Sequence, residues 1–119
     1  MNFFKLLSFL FLTLLFSNNS FAADGKKLFT KCKACHAVDA EKHKVGPHLV
    51  GIVGRKAGSA AGYTKYSKAL KESGIVWDEA NLDKWLTNTK GMYPGTKMIY
   101  PGLKKAEDRK AIIEYLKTK

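Results

Sequence analysis

The 119-residue sequence has few cysteines, few acidic residues and no long apolar segment beyond its N-terminal 22 residues. Its two cysteines, Cys32 and Cys35, are too close in sequence for a structural disulfide to add much stability. A zinc site would need a fourth ligand besides these thiols and His36, and no second C-x-x-C motif is present. A thioredoxin-like redox pair would need alternating strands and helices, which the sequence does not show. The sequence therefore does not favour a structural disulfide, a zinc site or a thioredoxin-like redox pair at these two cysteines.

Acidic residues number only 10, against 21 lysines and arginines, which gives a formal net charge of +11. Without Lys5 the count is 20 basic and 10 acidic residues, a net charge of +10. Such an excess keeps a protein in solution and also favours acidic partners. No nucleic-acid-binding motif and no interleaving of aromatic with basic residues accompanies the charge, so the sequence does not predict nucleic acid as a partner.

The N-terminal segment has the three parts of a secretory signal: one charge within 1–5, an apolar run over 6–16, and a small-x-small site at Ser20-Phe21-Ala22. The apolar run is shorter than the ~20 residues that a membrane-spanning helix needs, although an uncleaved anchor is the alternative. We therefore expect a signal peptide over 1–22, cleaved after Ala22. The mature domain would be 23–119, with no stable membrane insertion.

Cys32-Lys33-Ala34-Cys35-His36 forms a C-x-x-C-H motif, which is typical of c-type haem attachment. With two residues between them at the end of a short helix, the two thiols face one side of the backbone. Each can then form a thioether bond with a haem vinyl group, and the adjacent imidazole can bind the iron. We interpret Cys32 and Cys35 as the attachment points and His36 as an axial ligand of one covalently bound haem c.

The remaining pattern predicts an all-α fold of three or four short helices with two long ordered loops wrapped around the haem. Caps and apolar spacing place the helices at about 24–35, 66–73, 78–88 and 106–117. Glycines and prolines interrupt the pattern at 37–62 and 89–102. Because glycine permits close backbone approach, we expect the first of these loops to lie against the macrocycle.

The second axial ligand has four candidates among the residues alone, Met92, Met98, His43 and His48, and an open site is the further alternative. Met98 lies in a loop with turn signals on both sides. Its soft, neutral thioether suits iron in both oxidation states, and His/Met ligation raises the reduction potential as an electron carrier requires. Methionine is also a common core filler, so residue type alone does not choose between the candidates.

Residues 24–118 as a whole resemble class I cytochrome c, the soluble mitochondrial and bacterial type. The resemblance rests on a series of motifs in order and at similar spacing: C-x-x-C-H at 32–36, Gly-Pro-His-Leu at 46–49, the glycine-rich run 51–58, Gly-Tyr-Thr at 62–64, Gly-Ile-Val-Trp at 74–77, Pro-Gly-Thr-Lys-Met at 94–98 and Tyr-Leu-Lys at 115–117. It implies the cytochrome c fold. It also implies Met98 as the sixth iron ligand, because that is the role of this methionine in the family.

The resemblance further implies roles for residues around the haem. Pro47 lies where a backbone carbonyl accepts the imidazole N–H of the haem histidine, a bond that fixes the ring and tunes its basicity. Arg55, Tyr66 and Trp77 match donors to the haem propionates, which would otherwise be costly charges in a dry interior. Thr96 is expected to add a hydroxyl to that group.

Two further positions carry expectations from the resemblance. Trp85 lies where many members have a tyrosine beside the methionine sulfur, so a tuning hydrogen bond from that side chain is not assured. His43 matches a loop histidine that joins two irregular segments, and we interpret it as structural rather than as a ligand.

Three departures from the family pattern concern fine structure. Leu70 lies near a position where mitochondrial members often have asparagine, so we expect no polar network there. Thr89 replaces a frequent proline at the end of the third helix, which we expect to loosen the Met98 loop. One extra residue within 63–67 shifts the alignment of Tyr66 by a position.

The implied function is one-electron transport between redox proteins, not enzyme catalysis. By resemblance the donor would be a quinol–cytochrome c oxidoreductase, the acceptor a terminal oxidase or a photosynthetic reaction centre, and the carrier a monomer. The secretory signal predicts the bacterial periplasm, because haem c is attached on that side. The rival prediction is a haem enzyme or gas sensor, which would need an open sixth site and a distal acid/base residue.

Lysines flank both the haem motif and the Met98 loop, and we expect them to surround the exposed haem edge and meet acidic docking faces of redox proteins. A generally solvated basic surface is the alternative. The residues concerned are Lys31, Lys33, Lys90, Lys97, Lys104 and Lys105.

Overall fold

The structure is a computed structural model that describes residues 23–119, and the predicted signal peptide over 1–22 lies outside the described residues. Within 23–119 the fold is all-α, as predicted, with two isolated bridges and no β-strand. No helix in this range is long and apolar enough to cross a bilayer. The elements are α1 (Gly25–Leu28), a 3₁₀ helix (Phe29–Cys32), α2 (Lys68–Glu72), α3 (Glu79–Thr87), α4 (Thr89–Met92) and α5 (Ala106–Leu116).

Aspartate caps fix the starts of two helices where the sequence predicts them. Asp24 accepts a hydrogen bond from the backbone N–H of Lys27 at 3.2 Å, and Asp78 accepts one from Asn81 at 2.8 Å. Each bond satisfies a donor that the first helical turn leaves without an intrahelical partner. The caps therefore locate α1 and α3 from local sequence alone.

The signals that bound α2 are also local. Ser67 Oγ accepts the N–H of Leu70 at 3.3 Å, and Gly74 follows the helix in the left-handed region at φ 68°. The observed helix is shorter than the predicted 66–73 because its cap is Ser67. Leu70 is buried in the hydrophobic core, so the polar side chain common at this position is replaced by apolar packing.

Two boundaries differ from the prediction. The helix predicted over 24–35 becomes 3₁₀ at Phe29 and ends at Cys32, and residues 33–35 form a turn. The loop predicted over 89–102 begins instead with α4, whose N-cap Asn88 accepts the N–H of Gly91 at 2.9 Å. Asn88 has extended backbone angles and is both the C-cap of α3 and the N-cap of α4. The described chain therefore has five α-helices rather than three or four.

The core forms where α1 and α3 pack against α5. A Cβ on Gly25 would lie 2.1 Å from the carbonyl oxygen of Ala111, so only glycine lets the two backbones cross this closely. Phe29 is 1% exposed and its ring lies 5.5 Å from that of Tyr115. This crossing positions the 3₁₀ helix, and with it Cys32, against the rest of the molecule.

Candidate functional site

The two cysteines lie at either end of one turn. The backbone N–H groups of Cys35 and His36 both donate to the carbonyl oxygen of Cys32, at 3.1 and 2.9 Å. Both thiols are free and partly buried. Burial, and to a lesser degree the neighbouring Cys35, raises the pKa of Cys32. The two cysteines therefore lie on one turn and their thiols influence each other, as expected for two bonds to one ligand.

His36 has one ring nitrogen engaged and the other free for a metal. Nδ1 lies 2.7 Å from the carbonyl oxygen of Pro47, and because a carbonyl only accepts, Nδ1 carries the proton. The lone pair of Nε2 is therefore available. Burial lowers the pKa of His36, against the opposing effect of the Pro47 bond, so the imidazole is neutral in neutral solution. The structure contains the bond that the sequence predicts for Pro47.

Gly46 brings the backbone against the His36 ring. A Cβ at this position would lie 2.3 Å from Cε1 of the imidazole. The N–H of Gly46 also donates to the carbonyl oxygen of Cys35 at 2.8 Å. These contacts hold the imidazole plane in a fixed relation to the turn over 32–36 that contains both thiols, here called the attachment turn. The Gly-Pro-His-Leu motif at 46–49 contains Gly46, but the sequence predicts no separate role for this glycine.

Lys44 joins this cluster through a contact eleven residues away in sequence, which the sequence does not predict. Its Nζ donates to the carbonyl oxygen of Lys33, inside the attachment turn, at 2.5 Å. The charges of Arg55 and Lys44 both help to lower the pKa of His36. One lysine among many carries no sequence signal that would single it out.

The three predicted propionate donors lie in one region. Arg55 donates to the carbonyl oxygens of His48 at 2.9 Å and Val50 at 3.3 Å, and the backbone N–H of Trp77 donates to the Arg55 carbonyl at 2.8 Å. Burial lowers the pKa of the Arg55 guanidinium, and nearby Tyr66 opposes this. The structure thus brings Arg55, Tyr66 and Trp77 together, while their contact with a propionate stays a prediction.

Trp85 is buried beside Trp77, with ring centroids 5.4 Å apart, and it also packs near Tyr93 at 6.3 Å. Its indole N–H can donate a hydrogen bond but cannot accept one. Trp85 therefore lies on the side of α3 that faces the start of the Met98 loop (residues 93–102). A hydrogen bond from it to a methionine sulfur stays a prediction.

The Met98 loop lies beside the attachment turn. Met98 is partly buried against the hydrophobic core, and its N–H donates to Thr96 Oγ1 at 3.3 Å. Thr96 Oγ1 thus accepts a hydrogen bond within its own loop, and a bond donated by its hydroxyl to a propionate stays a prediction. Burial and then the nearby Cys32 thiol raise the pKa of Tyr100, two residues beyond Met98. The loop and the thiol therefore share one environment.

Thr89 contacts the Met98 loop directly, while the loosening expected from the replacement of proline stays a prediction. Its side chain is fully buried, it begins α4, and its hydroxyl donates to the carbonyl oxygen of Tyr100 at 3.4 Å. From the sequence alone, proline and threonine can be compared only by the rigidity of their backbones. The contact of the Thr89 hydroxyl with Tyr100 is visible only in the folded structure.

A cleft of about 440 Å³ opens beside Cys32. Leu28, Leu103 and Tyr100 contribute apolar wall, and Lys31 also lines it. Asp24, Lys27 and Asp108 line the cleft as well, whereas Cys35, His36 and Met98 do not, so it marks open space beside Cys32 only. The paired thiols and the free Nε2 of His36 are the donor set that fits a covalently attached haem c.

His43 is a structural residue, as predicted. Its Nε2 lies 2.7 Å from the carbonyl oxygen of Ala61, and its Nδ1 accepts the backbone N–H of His48 at 3.2 Å. Both ring nitrogens therefore hold loop segments together. His48 in turn accepts the N–H of Val50 through its own Nδ1 at 3.2 Å.

Comparison with known proteins places this geometry in a family. The family model described as cytochrome c matches residues 22–119. Cytochrome c2 iso-2 of Magnetospirillum molischianum is 52% identical over 96 residues, covering 81% of this chain and 98% of the relative. Cytochrome c2 of Rhodomicrobium vannielii is 46% identical over 110 residues, covering 88% and 87%.

A solved structure agrees with the sequence relatives. Cytochrome cH from Methylobacterium extorquens superposes with a TM-score of 0.76 at 52% identity, covering 82% of this chain and 98% of that one. This likeness confirms the cytochrome c fold. The chain belongs to the class I cytochrome c family, whose members carry electrons on a covalently bound haem c and are not enzymes.

Proposed function

We propose that this chain is a periplasmic one-electron carrier in which His36 and Met98 are the axial ligands of the iron. The observation that carries the proposal is the state of His36, whose Nδ1 is engaged by Pro47 while Nε2 is free, on the turn that holds both thiols. Cys32 and Cys35 form the two thioether bonds. When bound, haem c supplies reversible Fe(II)/Fe(III) chemistry.

The protein groups around this site have distinct tasks. Pro47 fixes the tautomer and orientation of His36, and it raises the basicity of the free nitrogen. Arg55, Tyr66 and Trp77, with Thr96 adding a hydroxyl, balance the buried charge of the propionates. These tasks are supported by the burial of Arg55 and its closeness to Tyr66 and Trp77.

We place the carrier in the periplasm, with residues 1–22 removed and 23–119 forming the mature domain. The signal-like N-terminal segment supports this location, and so does the similarity to cytochromes c2. The function needs no second copy of the chain, so we propose a monomer.

The partners are redox proteins, and we propose that a quinol–cytochrome c oxidoreductase is the donor and a terminal oxidase or reaction centre the acceptor. The six lysines named above are all exposed, and Lys31 lines the cleft next to Cys32. A basic surface beside the redox site would steer brief encounters with acidic docking faces.

The ligand assignment is tested by replacing each of the two methionines with alanine in a separate variant. Met92 and Met98 are both partly buried against the core, so Met92→Ala is a matched control for Met98→Ala. The oxidised protein should show the weak far-red methionine–iron band. That band should disappear in the Met98 variant and persist in the Met92 variant.

The opposite pattern would assign Met92 as the ligand. A high-spin spectrum of the unsubstituted protein that shifts on adding carbon monoxide would contradict a closed two-ligand site. Intact mass gives an independent result: the proposal requires a chain beginning at residue 23 that carries one haem after denaturation.

The docking proposal is tested by the rate of electron transfer to ferricyanide at increasing ionic strength. Steering by lysines predicts a steep fall with added salt, because screening shortens the range of attraction. Lys97→Gln should lower the low-salt rate more than Lys68→Gln, which changes an equally exposed lysine on α2. A salt-independent rate would contradict the proposal.

A further inference from the structure

The Met98 loop is closed at both ends by one residue, Thr89. The carbonyl oxygen of Thr89 accepts the N–H of Tyr93, where the loop begins, at 3.0 Å. Its hydroxyl donates to the carbonyl oxygen of Tyr100, near the end of the loop, at 3.4 Å. Met98 lies between these two contacts. One side chain and its own backbone therefore set the span of the loop.

Thr89 is buried, so its hydroxyl cannot replace its protein partner with water. Its exposure is 0%, and it is one of the three largest fully buried side chains in the described chain, beside Phe29 and Ile112. A buried hydroxyl without a partner is costly, so the contact with Tyr100 is favoured over an open arrangement although 3.4 Å is long for a hydroxyl bond. Thr89 therefore resists movement of the carbonyl it holds.

Other contacts at the end of the loop reach only the last residues. The N–H of Leu103 donates to the carbonyl oxygen of Leu86 at 2.8 Å, and a Cβ on Gly102 would lie 2.2 Å from the carbonyl oxygen of Thr87. Apart from the Thr89 contact, the described structure shows no hydrogen bond from the segment 98–100 to the helices, and Met98 and Tyr100 are otherwise held by packing against the core. That segment is otherwise exposed at Ile99, which is 93% accessible.

We propose that Thr89 is a positioning residue that holds Met98 in place through the Tyr100 carbonyl. The inference rests on the proposed function, because the position of Met98 matters for redox chemistry only when it binds the iron. Loss of the hydroxyl lengthens the tethered span and raises the population of conformations in which Met98 has left its position.

The test compares Thr89→Val, Thr89→Ser and the matched control Thr87→Val in the oxidised haem protein. Thr87 is exposed, and its hydroxyl bonds within α3 to the carbonyl oxygen of Asp83, so its removal leaves the loop untouched. Imidazole is titrated against the methionine–iron band, since apparent affinity rises with the population of the open state.

Thr89→Val should bind imidazole roughly three- to tenfold more tightly, the range expected for losing one buried hydrogen bond. Thr89→Ser, which keeps a hydroxyl, and Thr87→Val should stay close to the unsubstituted protein. Equal affinity in Thr89→Val and the unsubstituted protein would overturn the proposal, and so would a serine variant that behaves like valine.

Amide hydrogen exchange separates the tether from the ligand assignment. Exchange at Thr96 and Leu103 should accelerate in Thr89→Val, while that at Ile112 of α5 should not, because the loss is local. Acceleration at all three amides would indicate general destabilisation and overturn the proposal. Absence of the methionine–iron band in the unsubstituted protein would instead overturn the ligation of Met98, and exchange would still decide the tether.

Discussion

The two sides of the proposed iron site are held in different ways. On the His36 side, three short hydrogen bonds join the imidazole and the attachment turn to the next loop: Nδ1 to Pro47 at 2.7 Å, Gly46 to Cys35 at 2.8 Å and Lys44 to Lys33 at 2.5 Å. On the other side, the bonds inside the Met98 loop and the bond from Thr89 to Tyr100 are longer. They join Thr96 to Tyr93 at 3.2 Å, Met98 to Thr96 at 3.3 Å and Thr89 to Tyr100 at 3.4 Å.

This difference assigns separate tasks to the two ligands. A ligand inside a dense hydrogen-bond network moves only when a large part of the structure moves. A ligand on a loop with few and long hydrogen bonds can leave while the rest of the fold persists. The lability of the site should therefore be set by how the Met98 loop is attached, more than by the chemistry of the thioether.

Gly46→Ala should give the largest effect, because it damages the rigid side. The new Cβ would lie 2.3 Å from the His36 ring, and the ring cannot move away without breaking its bond to Pro47. We expect a loss of about 3 kcal/mol in unfolding free energy, together with a low yield of haem-bearing protein. Urea denaturation and the haem absorbance of the purified protein measure both.

Gly91→Ala is the control for this change. Its Cβ would meet the side chain of Asn88 at 2.4 Å, and that side chain is exposed and can rotate, although the α4 cap then suffers. The expected net cost is below about 1 kcal/mol, because the higher helix propensity of alanine offsets part of the loss of the cap. If both variants lose the same stability, the His36 side is no more rigid than α4.

Gly102→Ala should have the next largest effect, and a local one. Gly102 has φ 90°, and a Cβ would lie 2.2 Å from the carbonyl oxygen of Thr87, so the end of the Met98 loop must shift. We expect the methionine–iron band to be lost while the helical circular dichroism is kept, at a cost of roughly 1–3 kcal/mol.

Gly95→Ala is the control that separates the steric clash in Gly102→Ala from the strain of a left-handed backbone. Gly95 also has a left-handed backbone, at φ 86°, but nothing lies within 4 Å of its Cβ position. It should therefore keep more of the methionine–iron band than Gly102→Ala. Unfolding of α5 in Gly102→Ala would show that the two sides of the site are not independent.

Acid should weaken the His36 side through His48, with a smaller effect. Burial, followed by the charges of Arg55 and His43, lowers the pKa of His48 from its usual value of 6.5, and Glu41 opposes the shift. The folded state then binds fewer protons than the unfolded state. Stability is therefore complete above pH ~6.5 and is lost as the pH falls from there through the lower folded pKa.

His48→Asn tests this dependence. The asparagine amide oxygen can accept the same N–H of Val50 that Nδ1 of His48 accepts, but it does not titrate. Urea midpoints at about pH 7 and about pH 5.5 should differ less in the variant than in the unsubstituted protein. An equal difference in both would remove His48 from the acid response.

The parts of the fold that the sequence predicts well depend on neighbours in sequence. Asp24 and Asp78 cap α1 and α3 by accepting N–H groups three residues further on, and Gly74 follows the end of α2, so all three boundaries follow from local rules. The sequence does not predict α4, because the pattern indicates Asn88 only as the end of α3. Its role as N-cap of α4 depends on the direction that the chain takes after Asn88. Gly91 further masks α4, since glycine disfavours helix.

The residues of the site also differ in whether their roles can be predicted from neighbouring sequence. The attachment turn and the bond from His36 to Pro47 follow from a motif and a family resemblance. Gly46, Lys44 and Thr89 act through contacts with residues about ten positions away in the chain, whose distances only the folded structure supplies. Nothing about a glycine, a lysine or a threonine in isolation marks it for such a contact.

The crossing of Gly25 with Ala111 has a consequence for the order of folding events. Helix α1 has four residues, far fewer than the roughly 12–15 that an isolated helix needs to persist in water. It can therefore form only when docked on α5, which lies near the opposite end of the described chain. Helix formation and closure of a loop spanning most of the domain are then a single event, so the rate of folding should depend on how fast the chain ends meet.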